Sequence, residues 1–129
     1  MKAGILLLTN NPLVRERMGE DYAVCLVEGG YRDVLIKARD MIYLGHRLHT
    51  HPLMGSIKPN QTPYRTVALS AKAYELSMED TQIISNSIAV ADRCALPPSL
   101  PRKVLKDLQI IDHSIIWGAV ANGRESRKD

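Results

Sequence analysis

The chain has 129 residues, 45% of them hydrophobic and 24% charged, with a formal net charge of +3 and a pI near 9.0. That size and apolar content suit one domain around one core. The basicity is mild, there is no dense Lys/Arg block, and aromatic residues make up only 5%, which argues against both a phosphate-tracking stripe and a base-stacking platform.

Phenylalanine is absent, so the core must be aliphatic. No stretch approaches the ~18 apolar residues of a membrane span. The start, Met1-Lys2-Ala3-Gly4-Ile5-Leu6-Leu7-Leu8, imitates a signal peptide, but polar Thr9, Asn10 and Asn11 cut it short and no small-residue cleavage site follows. Cys25 and Cys94 belong to no CxxC pair and read as reduced thiols, so the expected location is cytoplasmic.

Residues 3–9 form a short continuous apolar run, the pattern of a buried strand. Asn11 then offers an N-cap and Pro12 a first helical residue whose missing N–H costs nothing there. A helix to Met18 and a stop at Gly19 follow. Residues 22–27 read as a second strand, closed by Glu28-Gly29-Gly30. Residues 31–44 read as a helix, with Val34, Leu35, Ala38, Met41 and Ile42 on one face.

Residues 48–51 are the third predicted strand and residues 66–70 the fourth. Ser77 caps a helix that runs to about Cys94, with Glu79 and Asp80 in its first turn. The stretch Pro97-Pro98-Ser99-Leu100-Pro101 breaks the chain. A last helix covers residues 102–121, its stripe of Val104, Leu108, Ile111 and Ile115 widened by Ile110, Ile116 and Trp117. Residues 122–129 read as a flexible, charged tail.

Strands alternating with helices predict an α/β three-layer sandwich: one domain over residues 1–121 with a small, mostly parallel four-stranded sheet in the order 2-1-3-4 and a long C-terminal helix. The carboxyl ends of the strands would share one edge. Thr9-Asn10-Asn11, Gly29-Gly30 and residues 49–65 would then meet there, where such folds place ligands.

Residues 49–65 hold two of the four histidines and three of the seven prolines. A loop that long is usually functional or disordered, and its prolines stiffen it. Free N–H groups and amides at the asparagine turn, with Lys58 or Arg65 for charge, suit a carboxylate or phosphate. No GxGxxG and no GxxxxGK[ST] is present. His49 and His51 share a face of an extended strand and could start a metal site, but two ligands are too few. His51, held extended by Pro52, is the candidate acid/base if there is catalysis. No Ser or Cys is placed beside it as a nucleophile.

Three stretches resemble the GrdX family: Thr9-Asn10-Asn11-Pro12-Leu13-Val14, Glu28-Gly29, and above all Thr50-His51-Pro52-Leu53-Met54-Gly55-Ser56-Ile57-Lys58-Pro59-Asn60-Gln61-Thr62-Pro63-Tyr64. Members of that family are small proteins encoded beside glycine, sarcosine and betaine reductase genes. The likeness is clear over the first seventy or so residues, continues to about residue 95, and leaves residues 99–121 as a helical extension. It implies a cytoplasmic accessory role around a selenium-dependent reductase. The chain lacks the selenocysteine and redox cysteine pairs which that chemistry requires, so the resemblance does not imply a catalytic subunit.

The expected function is therefore a non-catalytic accessory or regulatory protein that binds a small anion at the carboxyl edge. The expected binding residues are Thr9, Asn10, Asn11, Gly29, Gly30, His51, Gly55, Ser56, Lys58, Asn60 and Tyr64. No cofactor is expected, and no metal beyond the His49/His51 alternative. The alternatives are a small enzyme using His51 and a scaffold in which residues 101–121 dock a second copy or a reductase subunit. Neither nucleic acid nor membrane is an expected partner.

Overall fold

A computed structural model describes residues 4–55, 57–95 and 99–121. The expected tail, Pro97 and Pro98 lie outside the described residues. The elements run β1 (Ile5–Thr9), α1 (Pro12–Met18), β2 (Ala23–Leu26), α2 (Tyr31–Tyr43), β3 (His46–Leu48), β4 (Thr66–Ala73), α3 (Met78–Arg93) and α4 (Arg102–Val120).

The four strands form one mixed sheet in the order β2-β1-β4-β3. Only β1 and β2 pair in parallel; β4 runs antiparallel to both β1 and β3. This corrects the mostly parallel 2-1-3-4 order. Parallel neighbours need a crossover, usually a helix, and none lies between β3 and β4. The loop of residues 49–65 instead returns the chain at the edge where β3 ends, so β4 must start there and run back. β4 carries a run of buried residues, Val67, Ala68 and Leu69, which suits it to the central position beside β1.

β3 also sits earlier than predicted. The N–H groups of His49 and Thr50 both point to the Ala68 carbonyl, and the Thr50 hydroxyl accepts from the Ala68 N–H at 3.0 Å, so a side chain replaces the ladder after Leu48. Gly45 makes the turn into β3 at φ +106°. A Cβ there would stand 2.1 Å from the Tyr74 carbonyl oxygen, so both the dihedral and the space require glycine.

Alternation along the strands separates two cores. Leu8, Val67 and Leu69 pack with Val34, Leu35, Ala38 and Ile42 of α2 and Ile84 of α3. Leu7 and Ala68 face the other way, onto Val14 and Met18 of α1 and Ile116 and Val120 of α4. Helices thus cover both faces of the sheet.

α1 and α4 meet near His113, whose ring stacks on Trp117 with centroids 6.0 Å apart. Its Nε2 is buried without a hydrogen-bond partner among the described residues. Burial first, and the Arg17 cation second, lower the pKa of His113 below its ordinary 6.5, against a smaller opposing pull from Asp112. The unfolded chain therefore takes up this proton at higher pH than the folded one. The stability tied to His113 is complete above pH 6.5 and is lost as pH falls through and below that value. Denaturant midpoints should decline on acidification through this window, and His113→Gln should flatten the decline. An unchanged slope in that variant would assign the decline to other groups.

Candidate functional site

The asparagine turn and the loop are neighbours, as the placement of β1 beside β4 requires. Thr9 and Thr66 are register partners. Asn10 grips the loop at two points and the turn before α2 at a third. Its Nδ2 donates to the Pro63 carbonyl at 2.7 Å and to the Gly29 carbonyl at 3.0 Å, and its Oδ1 accepts from the Arg65 N–H at 2.9 Å. Asn11 caps α1 by accepting from the Leu13 N–H, while its Nδ2 donates to Asp112 Oδ2 and to the Gln109 carbonyl of α4. The amide donors expected to meet a ligand are thus engaged with the protein.

At the end of the loop stands Arg65, 3% exposed, facing Asp112, 4% exposed. The guanidinium turns back beneath its own loop. Nη1 donates to the Met54 carbonyl at 2.7 Å, and reaches the Pro52 carbonyl at 3.4 Å and the Tyr31 hydroxyl at 3.2 Å. Nη2 lies 3.6 Å from Asp112 Oδ1. Asp112 Oδ2 accepts from the Thr66 hydroxyl at 2.7 Å, so Thr66 Oγ1 in turn accepts from the Thr9 hydroxyl. Thr9 Oγ1 accepts from the Asn11 N–H. Every donor in this chain leads to one carboxylate.

The loop is packed against α4 as well. Gln109 Nε2 donates to the Tyr64 hydroxyl at 2.9 Å. Gly55, at φ +99°, lies so close to α4 that a Cβ would come within 2.9 Å of Ile115 Cδ1.

On its other side the loop forms a cleft with the start of α2 and the end of α3. One lobe, about 500 Å³, is lined by Gly30, Tyr31, Arg32, Asp33, Pro59, Pro63, Asp92 and Cys94, among others. A second lobe of about 310 Å³ is lined by Tyr31, Leu53, Gly55, Ile57, Lys58, Pro59, Val90, Arg93 and Cys94. Tyr31, Pro59 and Cys94 border both lobes. Burial raises the Tyr31 pKa, a rise that the neighbouring Arg65 partly offsets, so the phenol stays protonated.

The two lobes differ in charge. The larger holds Asp33 and Asp92. Asp33 Oδ2 accepts from the Gly30 N–H, which gives the positive end of α2 an internal anion, and Asp92 pairs with Arg32 at 2.6 Å. The smaller lobe holds the cations Lys58 and Arg93 and no carboxylate among its described lining residues.

Of the residues expected to bind, Gly30, Gly55 and Lys58 line the cleft. Thr9, Asn10, Asn11 and Gly29 hold the frame around it. Tyr64 faces α4. Asn60 is exposed in a turn, and Ser56 lies outside the described residues. His51 is exposed, and its Nδ1 accepts from the Leu53 N–H in a local turn. Among the described residues no three His, Cys, Asp or Glu side chains gather to hold a metal, so His49 and His51 gain no further ligand.

Tyr31, Arg93, Cys94 and Asp112 were not expected. Asp112 carried a signal: it stands in a row with Ile116 and Val120, four residues apart, and all three are buried. An acid within an apolar row has to meet a donor or a cation. Removing it leaves Arg65 buried and uncompensated. Asp112→Ala should therefore cost about 3–5 kcal/mol in equilibrium unfolding. A cost below about 1 kcal/mol would deny the pair its structural role.

No curated protein and no solved structure matches the chain. No described helix is long and apolar enough to cross a membrane. The family model described as GrdX-like protein matches residues 6–121, from β1 through α4, and the chain therefore belongs to the GrdX-like family.

Proposed function

We propose that the protein is a non-catalytic accessory or regulatory component of amino-acid reductase metabolism, acting in the cytoplasm, and that it binds a small anionic metabolite in the cleft beside the loop. Membership of the GrdX-like family supports the accessory role. The anion reading rests on one observation: the 310 Å³ lobe brings Lys58 of the loop and Arg93 of α3 together, with no carboxylate in its described lining. Two cations beside an apolar wall of Leu53, Ile57 and Val90 favour a ligand with one anionic end and a short apolar body. This moves the expected site from the asparagine turn to the opposite flank of the loop.

Arg93 lies in the last turn of α3, where the helix dipole favours a cation. Lys58 projects from the turn closed by the Gln61 N–H to the Lys58 carbonyl at 2.9 Å, so the backbone that carries it is fixed. A non-catalytic role fits the position of His51, whose ring is engaged by its own loop and which does not line either lobe.

A thermal-shift and calorimetric panel of small carboxylates and phosphates tests the reading. A bound anion at a hundredfold excess over its Kd should stabilise the fold by about 2.7 kcal/mol. Lys58→Ala and Arg93→Ala should each weaken that binding about tenfold, a loss of about 1.4 kcal/mol. No stabilisation by any anion, or undiminished binding in both variants, contradicts it.

α4 supports a second reading, in which this helix docks a second copy or a reductase subunit. Val104, Ile110 and Trp117 are exposed large hydrophobic residues on it. Ile116, at 1% exposure, belongs to the core and is no probe of such docking. Trp117→Glu should lower the sedimenting mass, or abolish reductase binding, while the fold is kept. Unchanged mass and binding would remove this reading.

A further inference from the structure

A small space separates the loop from α4, distinct from the cleft on the loop's other flank. It measures about 10 Å³ and is bordered by Ile57, Tyr64, Arg65, Leu108, Asp112 and Ile115, among others. Two residues of this border each carry a buried polar atom that makes no hydrogen bond to any described group: Arg65 Nε and Asp112 Oδ1. One is an N–H donor and the other a carboxylate acceptor. The two residues are 3% and 4% exposed, so bulk solvent does not satisfy these atoms. The closest approach between the two charged groups is 3.6 Å, beyond hydrogen-bond length.

We propose that this space is a binding site for a single water molecule, which accepts from Arg65 Nε–H and donates to Asp112 Oδ1. The chemistry of the border selects the occupant. A metal or ammonium ion would be set against the guanidinium, and a halide or carboxylate against Asp112. Only a neutral group that both accepts and donates answers the two atoms together. A volume of about 10 Å³ is at the lower limit for one water. The site offers two charged partners, and a buried water needs two to four polar ones.

The assignment changes how the loop is held. Arg65 is tied directly to the Met54 carbonyl and to Tyr31, whereas its link to α4 at Oδ1 runs through solvent. Tyr31 also borders the cleft, so the water stands behind the cleft wall, one arginine away from it.

A crystal structure of the full chain at a resolution that shows ordered solvent tests the assignment, with nuclear magnetic resonance in solution as a second measurement. One peak within about 2.7–3.2 Å of both Arg65 Nε and Asp112 Oδ1 is expected, together with a direct cross-peak from water to the Arg65 Nε proton. Direct contact between the two atoms, an ion identified by anomalous scattering, or an empty space with no water cross-peak would each overturn it.

Discussion

A guanidinium taken out of water has to be surrounded, and this fold is arranged around one. Arg65 is the last residue before β4, so β4's place next to β1 fixes where its backbone stands. From there the side chain is answered on three sides: by loop carbonyls, by the Tyr31 hydroxyl from α2, and by the Asp112 carboxylate from α4. Desolvating a charge costs several kcal/mol unless such partners are supplied. The loop therefore folds back over Arg65 because its carbonyls at Pro52 and Met54 are needed there. A long segment without regular structure acquires one path from a single buried group.

The rest of the site follows from that path. Asn10 fixes both the start and the end of the strand edge by holding Gly29, Pro63 and Arg65 together. α4 closes one flank through Gln109 and Ile115. The other flank is left open, where the loop faces the end of α3 and the start of α2. The loop turn that carries Lys58 and the α3 terminus that carries Arg93 meet across that gap. Recognition chemistry on a loop needs a rigid frame beneath it, and the buried ionic group supplies one.

Helices and the first two strands were legible because each has a strong local signature. Asn11-Pro12 starts α1, Ser77 caps α3, and the stripes of α2 and α4 have helical spacing. The strand order was not legible in the same way. It depends on the return of the chain after Leu48 at one sheet edge, a property of the connection and not of either strand. The meeting of the asparagine turn with the loop was expected from a shared carboxyl edge, whereas the structure brings it about by setting β4 antiparallel beside β1. The use made of the asparagines could not be read, because their partners come from residues about fifty and a hundred positions away. Asp112 was no part of the stripe read on the last helix, and only its burial shows it to be the acid that answers Arg65. Arg93 and Cys94 gain their place from the packing of α3 on α2, which no local pattern announces.

The central claim is that Arg65 and Asp112 act as a unit that binds the loop to the sheet and to α4. A double-mutant cycle with Arg65→Met and Asp112→Leu, followed by equilibrium unfolding, measures that coupling directly. The double variant should be less destabilised than the two single variants summed, by about 1 kcal/mol or more. Additivity within about 0.5 kcal/mol would mean that the two residues contribute separately, and the account of the loop would fail.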